Sequence, residues 1–177
     1  MKKSNQTFLW GFIIAVVAVV LLGFNTFKGF LIGSGPNVTT RALAMSCTTD
    51  MATRFHIHLY LAIRINGVPQ EIPENIGVSL TCMHPIHTHG SIGEIHVESP
   101  EQRDFTLGDF FAVWGKTFSK DQILDSFLVR LSSNADATHE IIMTIDGAPN
   151  QDFERLILRD KQQIVIEYRK VAGTVSR

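Results

Sequence analysis

Six of the chain's seven histidines fall between Phe55 and Ser99: His56, His58, His84, His87, His89 and His96. They occur within FHIH, CMHPIHTH and EIHVES, and two pairs have the spacing H-x-H. Neutral imidazole is the commonest metal-ligating side chain, so this clustering points to metal coordination. Three imidazoles around an open position form a set of the catalytic-zinc or copper type, and added cysteine or methionine sulfur shifts the preference to copper. The candidate ligands are His56, His58, His87, His89, His96 and Cys82. Copper is the expected ion and zinc the alternative; Met45, Met51 and Met83 lean towards copper. Cys82 has a competing role as the disulfide partner of Cys47, the other cysteine of the chain. No catalytic residue is assigned, because H-E-x-x-H, a nucleophile elbow and a glycine-rich phosphate loop are all missing.

The histidines must be carried by particular elements. In FHIHLYLAIRI, residues 55, 57, 59, 61, 63 and 65 are apolar, while His56, His58, Tyr60, Ala62 and Arg64 share the other parity. Period-two alternation predicts a strand with one buried face and both histidines on the opposite one. Asn66-Gly67 follows as a hairpin turn, and VPQEI returns with Pro69 near an edge. EIHVES alternates too, which puts His96 away from the core. If the two strands are neighbours, His56, His58 and His96 converge. His87 and His89 sit on an irregular segment interrupted by Pro85, which must fold back to join them. Glu94 and Glu98 are the natural groups to hold the second ring nitrogen of a ligating histidine.

Beyond the histidines, FTLGDFFAVWG places Leu107, Phe110, Phe111 and Trp114 on one helical stripe, with Thr106 or Asp104 as cap and Gly115 as stop. That stripe reads as core, packed on a sheet. Ser119 and Gln122 have capping-box form, and Ile123, Leu124, Phe127 and Leu128 suggest a further helical turn. EIIMTI, followed by Asp146-Gly147, and QIVIEY add two strands. IRINGVPQ and MTIDGAPN echo each other, so two edge turns share one chemistry. The fold class expected is α+β: an N-terminal transmembrane helix followed by a small ββαββ domain of β-grasp type, with a cupredoxin-like β-sandwich as the alternative.

The chain has 177 residues and net charge −1, with no basic run, which argues against nucleic-acid binding. FLWGFIIAVVAVVLLGF is an apolar run preceded by Lys2 and Lys3, and no small-residue cleavage site follows it closely. It reads as a retained signal anchor with its N-terminus in the cytoplasm. The expected organisation is residues 1–7 cytoplasmic, 8–27 transmembrane, 28–54 a tether rich in small and polar residues, and 55–177 an exported domain in the periplasm or outside the cell.

HIHLYLAIRINGVPQEIPENIGV, HTHGSIGEIHVESP, RDFTLGDFFAVWGKTFS and MTIDGAPN together resemble an uncharacterised family of exported, membrane-anchored bacterial and archaeal proteins. Its motifs are H-x-H-x-x-L-x-I-x-x-N-G, H-T-H-D-x-S-G-I-I-H-V-E-S and F-T-L-G-x-F-F-x-V-W-G. The resemblance spans most of residues 55–150 and implies His56, His58, His87, His89 and His96 as the shared set. This chain departs at Gly90, where the pattern has Asp, and at Ile92 and Glu94. An acidic group at position 90 is therefore not carried over, and the family supplies no reaction.

The function expected from these features is a membrane-anchored exported metal-binding protein, acting in metal handling or as an accessory subunit of a membrane metalloenzyme. A single-span structural or interaction subunit of a membrane complex is one alternative, and a metal-dependent enzyme is another. The partners expected are the membrane, through the N-terminal helix, and a membrane protein complex.

Overall fold

The computed structural model describes residues 38–49, 53–124, 127–128 and 139–171. The expected anchor at 8–27 lies outside the described residues, and among them no helix is long and apolar enough to cross a membrane. A compact unit runs from Thr39 to Arg177. Its described part is mostly β-sheet, with few helices.

The first long strand, β1 (Phe55–Ile65), follows its alternation: Ile57, Leu59, Leu61, Ile63 and Ile65 are buried, and the other face carries His56, His58, Tyr60, Ala62 and Arg64. Asn66 and Gly67, at φ 51° and 83°, are both left-handed and make the two-residue turn into β2 (Val68–Gln70). Pro69, which lacks an N–H, sits in this short edge strand. Next come β3 (Ile86–His87) and β4 (Glu94–Ser99), antiparallel to each other, with β4 antiparallel to residues 55–60 of β1. Gly93, at φ 77°, opens β4; its carbonyl accepts from the Leu61 amide, and a Cβ here would strike the Leu61 carbonyl.

Two more long strands complete the sheet. β8 (His139–Ile145) turns through Asp146-Gly147 into β9 (Ala148–Asn150), and β10 (Gln163–Lys170) inserts between β1 and β8. β10 is parallel to β1 and antiparallel to β8. The order is β3-β4-β1-β10-β8-β9, with β2 also on β1. The two hairpins match position by position: Ile65 faces Val68 and Arg64 faces Pro69, as Ile145 faces Ala148 and Thr144 faces Pro149. The echo between IRINGVPQ and MTIDGAPN is thus a shared turn geometry, with Asp146 and Gly147 at φ 52° and 82°.

The helix between the sheet's two halves, α2 (Leu107–Trp114), buries Leu107, Phe110 and Phe111 in the same core as the apolar residues of β1, β4, β8 and β10. Thr106 caps it: its hydroxyl accepts from the Asp109 amide and donates to the Asp109 carboxylate, which also accepts from the Thr106 amide. Such a reciprocal cap is worth about 1 kcal/mol. Gly115, at φ 71°, ends the helix.

The segment after α2 departs from expectation. Three short strands, β5 (Phe118–Ser119), β6 (Gln122–Ile123) and β7 (Phe127–Leu128), pair in that order where helical turns are expected. The Ser119 hydroxyl accepts from the Asp121 amide, closing a turn rather than capping a helix, and Leu124 is left-handed at φ 52°.

Part of the expected tether is built into the unit. A short helix, α1 (Thr40–Ala44), buries Ala44, and its Arg41 pairs with the buried Asp109 carboxylate at 2.9 Å while donating to the Gly108 carbonyl. Thr48 and Met83 exchange backbone hydrogen bonds beside a Cys47–Cys82 disulfide.

Candidate metal centre

The polar face of the β1–β4–β3 corner is a ladder of imidazoles. Cross-strand register puts His58 opposite His96 and His96 opposite His87, so three adjacent strands carry one row of rings. The neighbouring row pairs His56 with Glu98, and the row on the other side pairs Tyr60 with Glu94. Strands about 4.8 Å apart bring such side chains into contact. The His58–His96 centroids are 4.5 Å apart and the His56–His58 centroids 4.4 Å.

Thr88 explains how His87 and His89 join this row. The Thr88 side chain is fully buried: its hydroxyl donates to the Pro73 carbonyl and accepts from the Ile76 amide, both at 3.0 Å. The Thr88 amide donates to the Ile76 carbonyl. Because successive side chains alternate in extended chain, pinning Thr88 one way sends both flanking histidines the other way. Their rings lie 5.4 Å (His87) and 4.8 Å (His89) from that of His96. The H-T-H motif is therefore two ring donors about one buried anchor.

Hydrogen bonds set which nitrogen is available. His87 Nδ1–H donates to the His84 carbonyl at 2.9 Å, so the neutral ring turns the lone pair of Nε2 towards His89 Nε2. Burial pushes the His87 imidazolium down to about 4, a drop that the His84 carbonyl only partly opposes. His96 is also lowered, first by burial and then by the neighbouring His58 and His89. Both rings are thus neutral donors at neutral pH, the form that a metal requires. His87 Nε2 and His89 Nε2 are 3.2 Å apart. Metal–nitrogen bonds of about 2.0–2.1 Å at tetrahedral or square angles place ligand nitrogens about 2.9–3.4 Å apart. His96 Nδ1 is buried and has no hydrogen-bond partner among the described residues, as suits a nitrogen kept for a cation.

Two sets of three could hold an ion: His56, His58 and His96, and His87, His89 and His96, each with its ligand atoms within 4.8 Å of one another. The acidic neighbours are in place. Glu98 Oε1 lies 3.2 Å from His56 Nε2, and Glu94 Oε2 lies 3.7 Å from His96 Nε2. Tyr60 donates its hydroxyl to Glu94 Oε1 at 2.7 Å, and that bond raises the phenol's pKa.

Of the residues expected to bind metal, the structure gathers His56, His58, His87, His89 and His96 and excludes Cys82. The Cys82 sulfur is bonded to Cys47, so no thiolate is left to ligate. His84 is a support: its Nδ1–H donates to the Ala44 carbonyl, and its own carbonyl orients His87. Asp160 escaped the sequence reading. Its carboxylate accepts from the His58 amide, and the next amide, of Lys161, donates to the His58 carbonyl. More than a hundred residues separate these partners, and no local pattern announces the contact. None of the family models, curated proteins or solved structures compared with the chain matches it.

Proposed function

We propose that the chain is a membrane-anchored, exported metal-binding protein that handles copper or serves as an accessory subunit of a membrane metalloenzyme. The observation that carries this reading is five imidazoles gathered on one polar sheet face, where a buried His87 keeps its Nε2 lone pair exposed to a second ring at 3.2 Å. Copper is placed before zinc because imidazole suits both ions and divalent copper binds such donors more tightly. The apolar run at 8–24 supports anchoring, and the Cys47–Cys82 disulfide suits an oxidising compartment. The order of the long strands, β4-β1-β10-β8 with a parallel central pair and α2 on the core face, favours a β-grasp over a sandwich.

The test is a Cu(II) titration, with a competing chelator, of the metal-free full chain and of the His56→Ala/His58→Ala/His89→Ala triple variant, which breaks both sets of three. None of these rings belongs to the core, so the variant folds and its affinity falls at least tenfold. Equal affinity in the two proteins overturns the site. Failure of the wild type to bind either Cu(II) or Zn(II), together with recovery of a membrane complex around it, favours the interaction-subunit reading.

A further inference from the structure

The two candidate sets have one member in common. His56 and His58 belong to one, His87 and His89 to the other, and His96 to both. An ion with metal–nitrogen bonds of about 2.1 Å cannot hold two ligand atoms more than about 4.2 Å apart, and neither pair enters a set with the other pair. A single ion therefore uses one pair and leaves the other idle. His96 occupies the middle of the row, with His58 opposite it on β1 and His87 opposite it on β3. Its ring is edge-on to His58 at 4.5 Å and to His89 at 4.8 Å, so a neighbour from each set abuts the same imidazole. Its two nitrogens have different surroundings: Nδ1 is buried and unpartnered, and Nε2 is 3.7 Å from the Glu94 carboxylate.

Resting on the metal-binding reading above, we infer that the face holds two ions, one in each set, with the His96 ring bridging them through its two nitrogens. A neutral imidazole carries one N–H, so filling the second position releases that proton to solvent and leaves an imidazolate between the cations. The two cations on the ring drive that loss, which the nearby Glu94 and Glu98 carboxylates oppose in part. The outer pair on β1 and the inner pair anchored by Thr88 then act as one dinuclear centre instead of alternative sites.

The test uses the full chain, stripped of metal and dialysed against Zn(II), with bound metal counted per chain. Wild type binds two ions. His56→Ala/His58→Ala binds one, and so does His89→Ala, in which an exposed ring is removed and the buried His87 is kept to protect folding. One ion in the wild type overturns the inference and leaves the metal-binding reading standing; none overturns both. A fall from two to zero in either variant overturns the assignment of one ion to each set. The bridge has its own readout: loaded with two Cu(II), the wild type shows far less paramagnetic resonance intensity than two independent ions, and each variant regains one full spin per bound ion. Full intensity from the wild type at two Cu(II) overturns the bridge.

Discussion

Protonation of His87 should cost the metal-free protein stability in a defined pH window. The ring is fully buried, and its folded-state pKa is about 4 against the ordinary 6.5. Above pH 6.5 both folded and unfolded chains hold it neutral, and it contributes no pH dependence. Between 6.5 and 4 the unfolded chain takes up a proton that the folded chain refuses, so stability falls as the pH falls. Below about 4 both states are protonated and the loss is complete. Each pH unit between the two values is worth about 1.4 kcal/mol, so the full loss is about 3 kcal/mol, a large part of a typical domain's stability. Urea denaturation of the metal-free, oxidised unit from Thr39 to Arg177 measures it at a series of pH values from 7.5 to 4. Carboxylates also titrate in this range, so the informative quantity is the difference from His87→Gln, which lacks the titrating ring. Wild type should lose about 3 kcal/mol more than the variant over the window. Parallel stability curves, or an NMR titration of the His87 ring near 6.5, would refute the burial argument.

Three other outcomes are expected. Reducing Cys47–Cys82, or replacing both residues with Ser, opens a loop of 35 residues and should cost about 4 kcal/mol on chain-entropy grounds; thermal melts with and without reductant measure this, and a change below 1 kcal/mol would count against a well-formed staple. Gly93→Ala places a Cβ against the Leu61 carbonyl at φ 77°, which should cost about 3 kcal/mol and weaken metal binding by disturbing the start of β4; unchanged urea midpoints would contradict that geometry. Gly90→Asp, which restores the acid of the resembling motif, meets open space and should leave stability within about 0.5 kcal/mol; a large destabilisation would show the loop before β4 to be packed otherwise.

The parts of the site that could be read from the sequence are those governed by local periodicity. Eleven alternating residues in β1 are enough to turn His56 and His58 from the core, and EIHVES does the same for His96. The helix over Leu107–Trp114 was legible for a similar reason: cap, stripe and stop all lie within ten residues. The placement of His87 and His89 was not, because it depends on Thr88 reaching Pro73 and Ile76 across a loop. The sharing of His96 depends on β3 pairing with β4 in one register. The parallel seating of β10 beside β1 joins residues about a hundred positions apart and has no local signature. Ser119 misled because its hydroxyl can serve a tight turn as readily as a helix cap, and the left-handed Leu124 decides for the turn. Cys82 was open to two chemistries in the sequence, and the approach of Cys47, carried by the segment that follows α1, closes one of them.

The most direct test of the central claim is elemental analysis of the full chain isolated from its native source without added metal. Copper or zinc at one or more ions per chain, lost together with His56, His58, His87, His89 and His96 when all five are replaced by Ala, is the result predicted. A folded, disulfide-bonded chain isolated with no transition metal, and unable to take up copper or zinc afterwards, would contradict it.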